Sequence, residues 1–133
     1  MLVGLTLQGG VTNGNGGAVW LREYNGQPAL KIDRCIVRDN QAQVGGGIAT
    51  NDWGAVYLVV SNTRLNNNNA TSHSGGIFSN YTRANVIRNV SIVGNNGQND
   101  NGGFHFGPSA VGSYRDVTVT GNTSGGTPSG TLV

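Results

Sequence analysis

The stretch Gly75-Gly76-Ile77-Phe78-Ser79-Asn80 decides the fold, because it returns along the chain. Gly16-Gly17 precedes Ala18-Val19-Trp20, Gly46-Gly47 precedes Ile48-Ala49-Thr50, and Gly102-Gly103 precedes Phe104-His105-Phe106. Ser129-Gly130 before Thr131-Leu132-Val133 is a weaker fifth copy. The second residues of the pairs (Gly17, Gly47, Gly76, Gly103 and Gly130) are separated by 30, 29, 27 and 27 positions. Self-similarity at a period of about 20 to 50 residues marks stacked repeats.

A second segment keeps the same phase. Residues 5–10 align with 35–40, 63–68, 90–95 and 117–122, and four of these five copies end in asparagine. Their first and third positions are mostly apolar, as in Val90 and Ile92 or Val117 and Val119, and the positions between are Thr6, Ile36, Arg64, Ser91 and Thr118. This is the two-residue period of a strand with one face inward. A third apolar segment precedes the second, at 30–32, 57–60, 86–87 and, more weakly, 113–114. Three short strands per coil, joined by Gly and Asn turns, cannot pair with their sequence neighbours without breaking the period. Pairing with the equivalent strand one coil on gives parallel sheets around a filled interior.

Composition agrees. The chain of 133 residues has 23 Gly and 18 Asn, residues that tolerate positive φ and so allow frequent sharp turns. Disorder is the competing reading of such a bias, but 36% of residues are hydrophobic and they recur in short, spaced runs. Asn40, Asn68, Asn95 and Asn122 are expected to sit one above another as an asparagine ladder, each amide bonding its copies above and below.

The paired glycines followed by an apolar pair, with an apolar-x-apolar-x-x-Asn segment nearby, resemble the right-handed parallel β-helix repeat proteins. The likeness is best to bacterial polymorphic outer-membrane proteins and pectate-lyase-like surface β-solenoids, and Gly75 to Asn80 and Gly45 to Ile48 carry it. The fold expected is all-β: a single-stranded right-handed parallel β-helix of about five coils of 27–30 residues, one domain over residues 1–133, uncapped at both ends. The resemblance implies an extracellular or cell-surface location and contact with polysaccharide. It does not choose a function, because enzymes, adhesins and tailspikes share the architecture.

The chemistry-bearing residues are sparse. The acids Glu23, Asp33, Asp39, Asp52, Asp100 and Asp116 include no adjacent pair, and the nearest approach to a catalytic cluster is Arg88 and Arg115 on neighbouring coils beside Asp116, a grouping that reads as a solvated ion pair. His73 and His105 stand at non-equivalent places without further ligands at useful spacing, so no metal and no cofactor are expected. Cys35 replaces Val90 and Val117 in the repeat and reads as a core filler. The eight Lys and Arg residues form no run, which argues against nucleic acid, and no stretch approaches the roughly 20 apolar residues of a membrane helix. No basic and apolar leader stands at the start.

Trp20, Tyr24, Trp53 and Tyr81, like Phe106, follow a glycine pair closely and are the candidate glycan-binding platform. The competing expectation is that Trp20 and Phe106 occupy equivalent positions and pack locally. Sequons place candidate glycosylation at Asn69, Asn80, Asn89 and Asn122, about as many as composition alone supplies. The reading is a non-catalytic extracellular structural or adhesive element, either a head-to-tail filament subunit or a segment of a longer surface protein. Its expected partners are copies of itself end to end or flanking coils, with polysaccharide as a further partner. The alternative is a carbohydrate-active β-helix enzyme, or a glycan-binding fragment of one.

Overall fold

The computed structural model describes residues 1–22, 29–51, 56–80, 82–107, 112–125 and 127–128, with the backbone alone at 51, 127 and 128. The described residues are strands and turns without a helix, and they wind into a parallel β-solenoid of about four turns with three sheets. The fifth glycine-pair copy, Ser129 to Val133, lies outside the described residues.

The first sheet stacks Leu2–Val3, Ala29–Asp33, Tyr57–Asn66, Ala84–Val93 and Gly112–Thr120, and Thr6–Gln8 and Ile36–Arg38 extend it as a second arm. Two segments that read as separate strands in the sequence thus form one sheet that turns a corner. At that corner Gly4, Arg34, Asn62, Asn89 and Asp116 all take φ between 50° and 66°. A residue in the left-handed region redirects the backbone without an extra loop, and the inward alternation resumes at Cys35, Thr63 and Val90, all buried.

The second sheet follows the ladder asparagines and stacks Gln41–Val44, Asn69–His73, Asn96–Gly97 and Thr123–Ser124. The sequence reading has no strand here, since the outward Gln41, Gln43, Asn69 and Asn96 obscure the inward Ala42 and Ala70. Thr127–Pro128 pairs antiparallel with Thr123–Ser124, and every other strand pair is parallel.

The third sheet contains Val19–Leu21, Ile48–Asn51, Ile77–Asn80 and Phe104–Phe106, the segments after the glycine pairs. Its register corrects one expectation. Trp20 pairs with Ala49, and Ala49 with Phe78 and then His105, whereas Phe106 pairs with Ser79. Trp20 and Phe106 are therefore not equivalent. The first coil carries one more residue where Val11 bridges Gln41 but Asn15 bridges Val44, so Gly17 lies over Gly46 and the first repeat is one residue out of phase. The glycine pairs themselves are fixed by crowding: a Cβ on Gly47 would lie 2.7 Å from the carbonyl oxygen of Gly76, and one on Gly76 would collide with that of Gly103.

Ile32, Val60 and Ile87 line one interior column, Val37, Leu65 and Ile92 a second, and Ile48 and Ile77 a third, all 0–1% exposed. Burying each such side chain favours folding by about 1.5–3 kcal/mol. Cys35 joins this core.

Where the second arm meets the second sheet, Asn40, Asn68, Asn95 and Asn122 form the ladder, each at most 2% exposed. Asn68 shows the pattern. Its Nδ2 donates to Asn95 Oδ1 and to the Val37 carbonyl, both at 2.9 Å, while its Oδ1 accepts from the backbone N of Asn40 at 3.2 Å and from Asn40 Nδ2 at 2.9 Å. The amide is satisfied on both of its atoms, as burial requires.

Candidate glycan-binding groove

Strand alternation turns Lys31, Asp33, Ser61, Arg64, Arg88 and Arg115 outward from the first sheet. The bend gathers them. Two adjoining hollows share Asn62, Asn89 and Asp116 at the corner, one of about 640 Å³ against the first arm and one of about 460 Å³ against the second. Together they make a shallow groove crossing four successive coils, marked by Arg34, Asn62, Asn89 and Asp116. Four coils at the usual strand spacing give a run of about 14 Å along the solenoid axis.

The groove is basic. Lys31 and Arg88 line the larger hollow, Arg34 and Arg64 the smaller, and Arg115 the far end, so five of the eight basic residues meet two carboxylates, Asp33 and Asp116. Arg34 Nε lies 3.1 Å from Asp33 Oδ2, and Arg115 Nε lies 3.3 Å from Asp116 Oδ2. Lys31, Arg64 and Arg88 have no carboxylate partner among the described residues. The grouping of Arg88, Arg115 and Asp116 foreseen from the sequence is assembled, with Arg88 and Arg115 in register, and the Arg115–Asp116 pair is 78% and 71% exposed.

Asp33 is held differently. Ser61 Oγ donates to its Oδ1 at 2.7 Å and Asn62 Nδ2 at 2.8 Å, and these bonds, followed by the Arg34 guanidinium, keep its carboxyl below the ordinary 3.8 despite partial desolvation. Asn89 Nδ2 donates to Asn62 Oδ1, so a polar chain runs up the corner from Asp33 through Asn62 to Asn89. A carboxylate stabilised in its ionised form is a poor general acid.

Of the aromatic platform, Tyr24, Trp53 and Tyr81 lie outside the described residues. Trp20 is half-exposed on the third sheet, away from the groove, with the Arg22 guanidinium 5.7 Å from its ring centroid. Phe78, two coils along the same column, is nearly buried under His105, whose ring stacks on it at 5.0 Å. The two histidines, unrelated in the sequence reading, meet at one carboxylate: Asp100 Oδ2 lies 2.8 Å from His105 Nδ1 and 3.6 Å from His73 Nδ1. Among the described residues no group of three or more His, Cys, Asp and Glu is placed to hold a metal ion.

The four sequon asparagines differ in access. Asn122 is 2% exposed, and its Nδ2 donates to Ile92, so a glycan there is incompatible with the fold. Asn80 Oδ1 is buried, and Thr82 of its sequon is bonded inside a buried network with Ser79 and Asn85. Asn69 is half-buried with its Oδ1 bonded to Asn96, and Asn89 is the exposed one.

The groove cations escape a linear reading because they arrive from different coils. The usable signal is their phase: Arg64 lies at an outward position of the repeat, and Arg88 and Arg115 coincide when coils are superposed. No helix of the described residues is long and apolar enough to cross a membrane. Comparison of the chain with protein-family models, curated proteins and solved structures finds no match.

Proposed function

We propose that the chain is a non-catalytic structural and adhesive β-solenoid of the extracellular space or cell surface, related in kind to the polymorphic outer-membrane repeats, and that its adhesive surface is the groove along the bend of the first sheet. One observation carries this reading: the groove crosses four coils and is lined by equivalent corner residues in each. An elongated, open, repeating surface suits an extended polymer better than a small molecule, which is ordinarily enclosed in a deeper pocket. Further coils, from copies stacked end to end or from a longer chain, would lengthen it.

A second reading, a carbohydrate-active enzyme, is favoured by Asp33 and Asp116 lining one hollow with Arg88 and Arg115. Against it stand the lowered pKa of Asp33 and the exposure of the Arg115–Asp116 pair. Incubation of the purified chain with immobilised polysaccharides separates the two. Retention without release of shortened or unsaturated sugars is expected, whereas release of such products that stops in an Asp33→Asn variant would establish the enzyme.

A further inference from the structure

Asparagine is followed directly by glycine five times, at Asn13, Asn15, Asn25, Asn96 and Asn101. This dipeptide carries chemistry of its own. The glycine amide nitrogen can attack the asparagine side-chain carbonyl, because no side chain on the glycine hinders the approach. Ring closure also swings the peptide out of its starting conformation, so a pair held in a ladder or packed between coils reacts only after local opening. The fold therefore sorts the pairs.

Asn25-Gly26 lies outside the described residues, and three of the other four pairs are held. Gly16 N donates to the Val44 carbonyl at 2.9 Å, and a Cβ there would collide with the Val19 carbonyl. Asn96 is fixed in the second sheet: its Nδ2 donates to Asn69 Oδ1 at 2.7 Å, its Oδ1 accepts from Thr123 Oγ1 at 2.8 Å, and Gly97 packs against the Asn101 carbonyl. Gly102 lies between coils against Thr123, and its carbonyl accepts from Gly76 N at 3.0 Å. Asn13-Gly14 differs on every count. Asn13 is exposed, and its side chain makes no hydrogen bond among the described residues. Gly14 N donates at 3.1 Å to Thr12 Oγ1, a side-chain acceptor that one rotamer change removes. A Cβ on Gly14 would meet nothing nearer among the described residues than that same oxygen, at 3.6 Å. The pair stands clear because it falls where the first coil carries its additional residue between Val11 and Asn15.

We infer that Asn13-Gly14 is a site of spontaneous deamidation and main-chain isomerisation, selected by the fold from the pairs the structure describes. Gly14 N gives up its proton and bonds to Asn13 Cγ, the Cγ–Nδ2 bond breaks, and ammonia leaves with that proton. Water then opens the succinimide at either carbonyl, giving aspartate or isoaspartate. Either product adds a carboxylate and lowers the formal charge of +2 by one. Isoaspartate also lengthens the main chain by one carbon beside the Gly14 carbonyl, which accepts from Gln43 N at 2.9 Å and Val44 N at 3.3 Å. The modification thus loosens the first coil from the second. It does not depend on the adhesive reading above.

The test incubates the full chain in mildly alkaline buffer, native and in urea, and follows each pair by peptide mapping with mass spectrometry, while a protein isoaspartyl methyltransferase counts isoaspartate. Wild type is compared with Gly14→Ala, whose added methyl group enters open space and so leaves the fold intact, which circular dichroism checks. In the native chain Asn13 should convert at least about tenfold faster than Asn15, Asn96 or Asn101, the ratio that an opening cost of about 1.4 kcal/mol imposes on the held pairs. In urea, which removes that cost, the four rates should converge to within about threefold. Gly14→Ala should slow conversion at Asn13 and leave the other three rates unchanged. Native conversion of Asn96 or Asn101 that keeps pace with Asn13 overturns the inference. So does a tenfold lead of Asn13 that persists in urea, since the neighbouring sequence and not the fold would then select the site. An Asn13 that converts only in urea overturns it as well.

Discussion

At the scale of single residues, the asparagine ladder and Asp33 show how buried or crowded polar groups are made compatible with the fold. Removing one rung exposes the cost. In Asn68→Leu, four hydrogen bonds disappear: the buried Asn40 backbone N loses its acceptor, and Asn40 Nδ2 keeps only the Leu7 carbonyl. At about 1–3 kcal/mol per unsatisfied group, the variant should lose about 2–4 kcal/mol and on the order of 10 °C in melting midpoint by calorimetry. An unchanged midpoint would refute the ladder's role. Asp33 makes a pH-dependent contribution. Its folded pKa is depressed by Ser61 and Asn62, so its stabilising effect is present above the ordinary carboxylate range and is lost as pH falls toward the folded value. Between about pH 5 and pH 2 the wild type should therefore lose stability more steeply than Asp33→Asn, which keeps an accepting oxygen but cannot titrate. Parallel curves in acid denaturation would remove Asp33 from the account.

Elements in this molecule are columns, and each column demands a different property of its residue. The first-arm corner takes Gly4, Arg34, Asn62, Asn89 and Asp116, and the ladder corner takes Gly9, Asp39, Asn67, Gly94 and Gly121, all at positive φ. These sites need a backbone that tolerates the left-handed region, which asparagine and aspartate do better than other side chains. The glycine pairs need something else, the absence of a Cβ between closely packed coils. The contrast is measurable. Gly121→Asn, where a Cβ would meet nothing nearer than 3.8 Å, should change the denaturation midpoint little, whereas Gly76→Ala, driven against Gly103, should lower it substantially. Similar effects from both would mean that conformational freedom, not coil contact, selects glycine at the pairs.

At the scale of the whole chain, what the sequence shows and what it hides follow from one cause. Features that repeat in every coil are legible: the glycine pairs, the apolar alternation and the terminal asparagine fall in phase and predict the parallel stack. Features that each coil contributes to only once are not. Arg88 and Arg115 coincide in the repeat and are legible as a pair beside Asp116, whereas Arg34 and Arg64, from other coils, join them in a groove only after stacking. His73, Asp100 and His105 converge in the same way, and the buried network of Thr50, Ser79, Thr82 and Asn85 fills a corner that no repeat pattern marks. The first-coil phase error has a local origin too, a single additional residue between Val11 and Asn15 that a count of glycines cannot place. Coil stacking is thus the premise of every functional statement made about this chain. Nuclear Overhauser contacts among the asparagine side-chain amides test it most directly. Slowly exchanging amide protons with cross-peaks linking Asn40 to Asn68, Asn68 to Asn95 and Asn95 to Asn122 are the expected result. Rapidly exchanging amides that lack these contacts, or contacts linking asparagines out of coil order, would contradict the stack and the groove built on it.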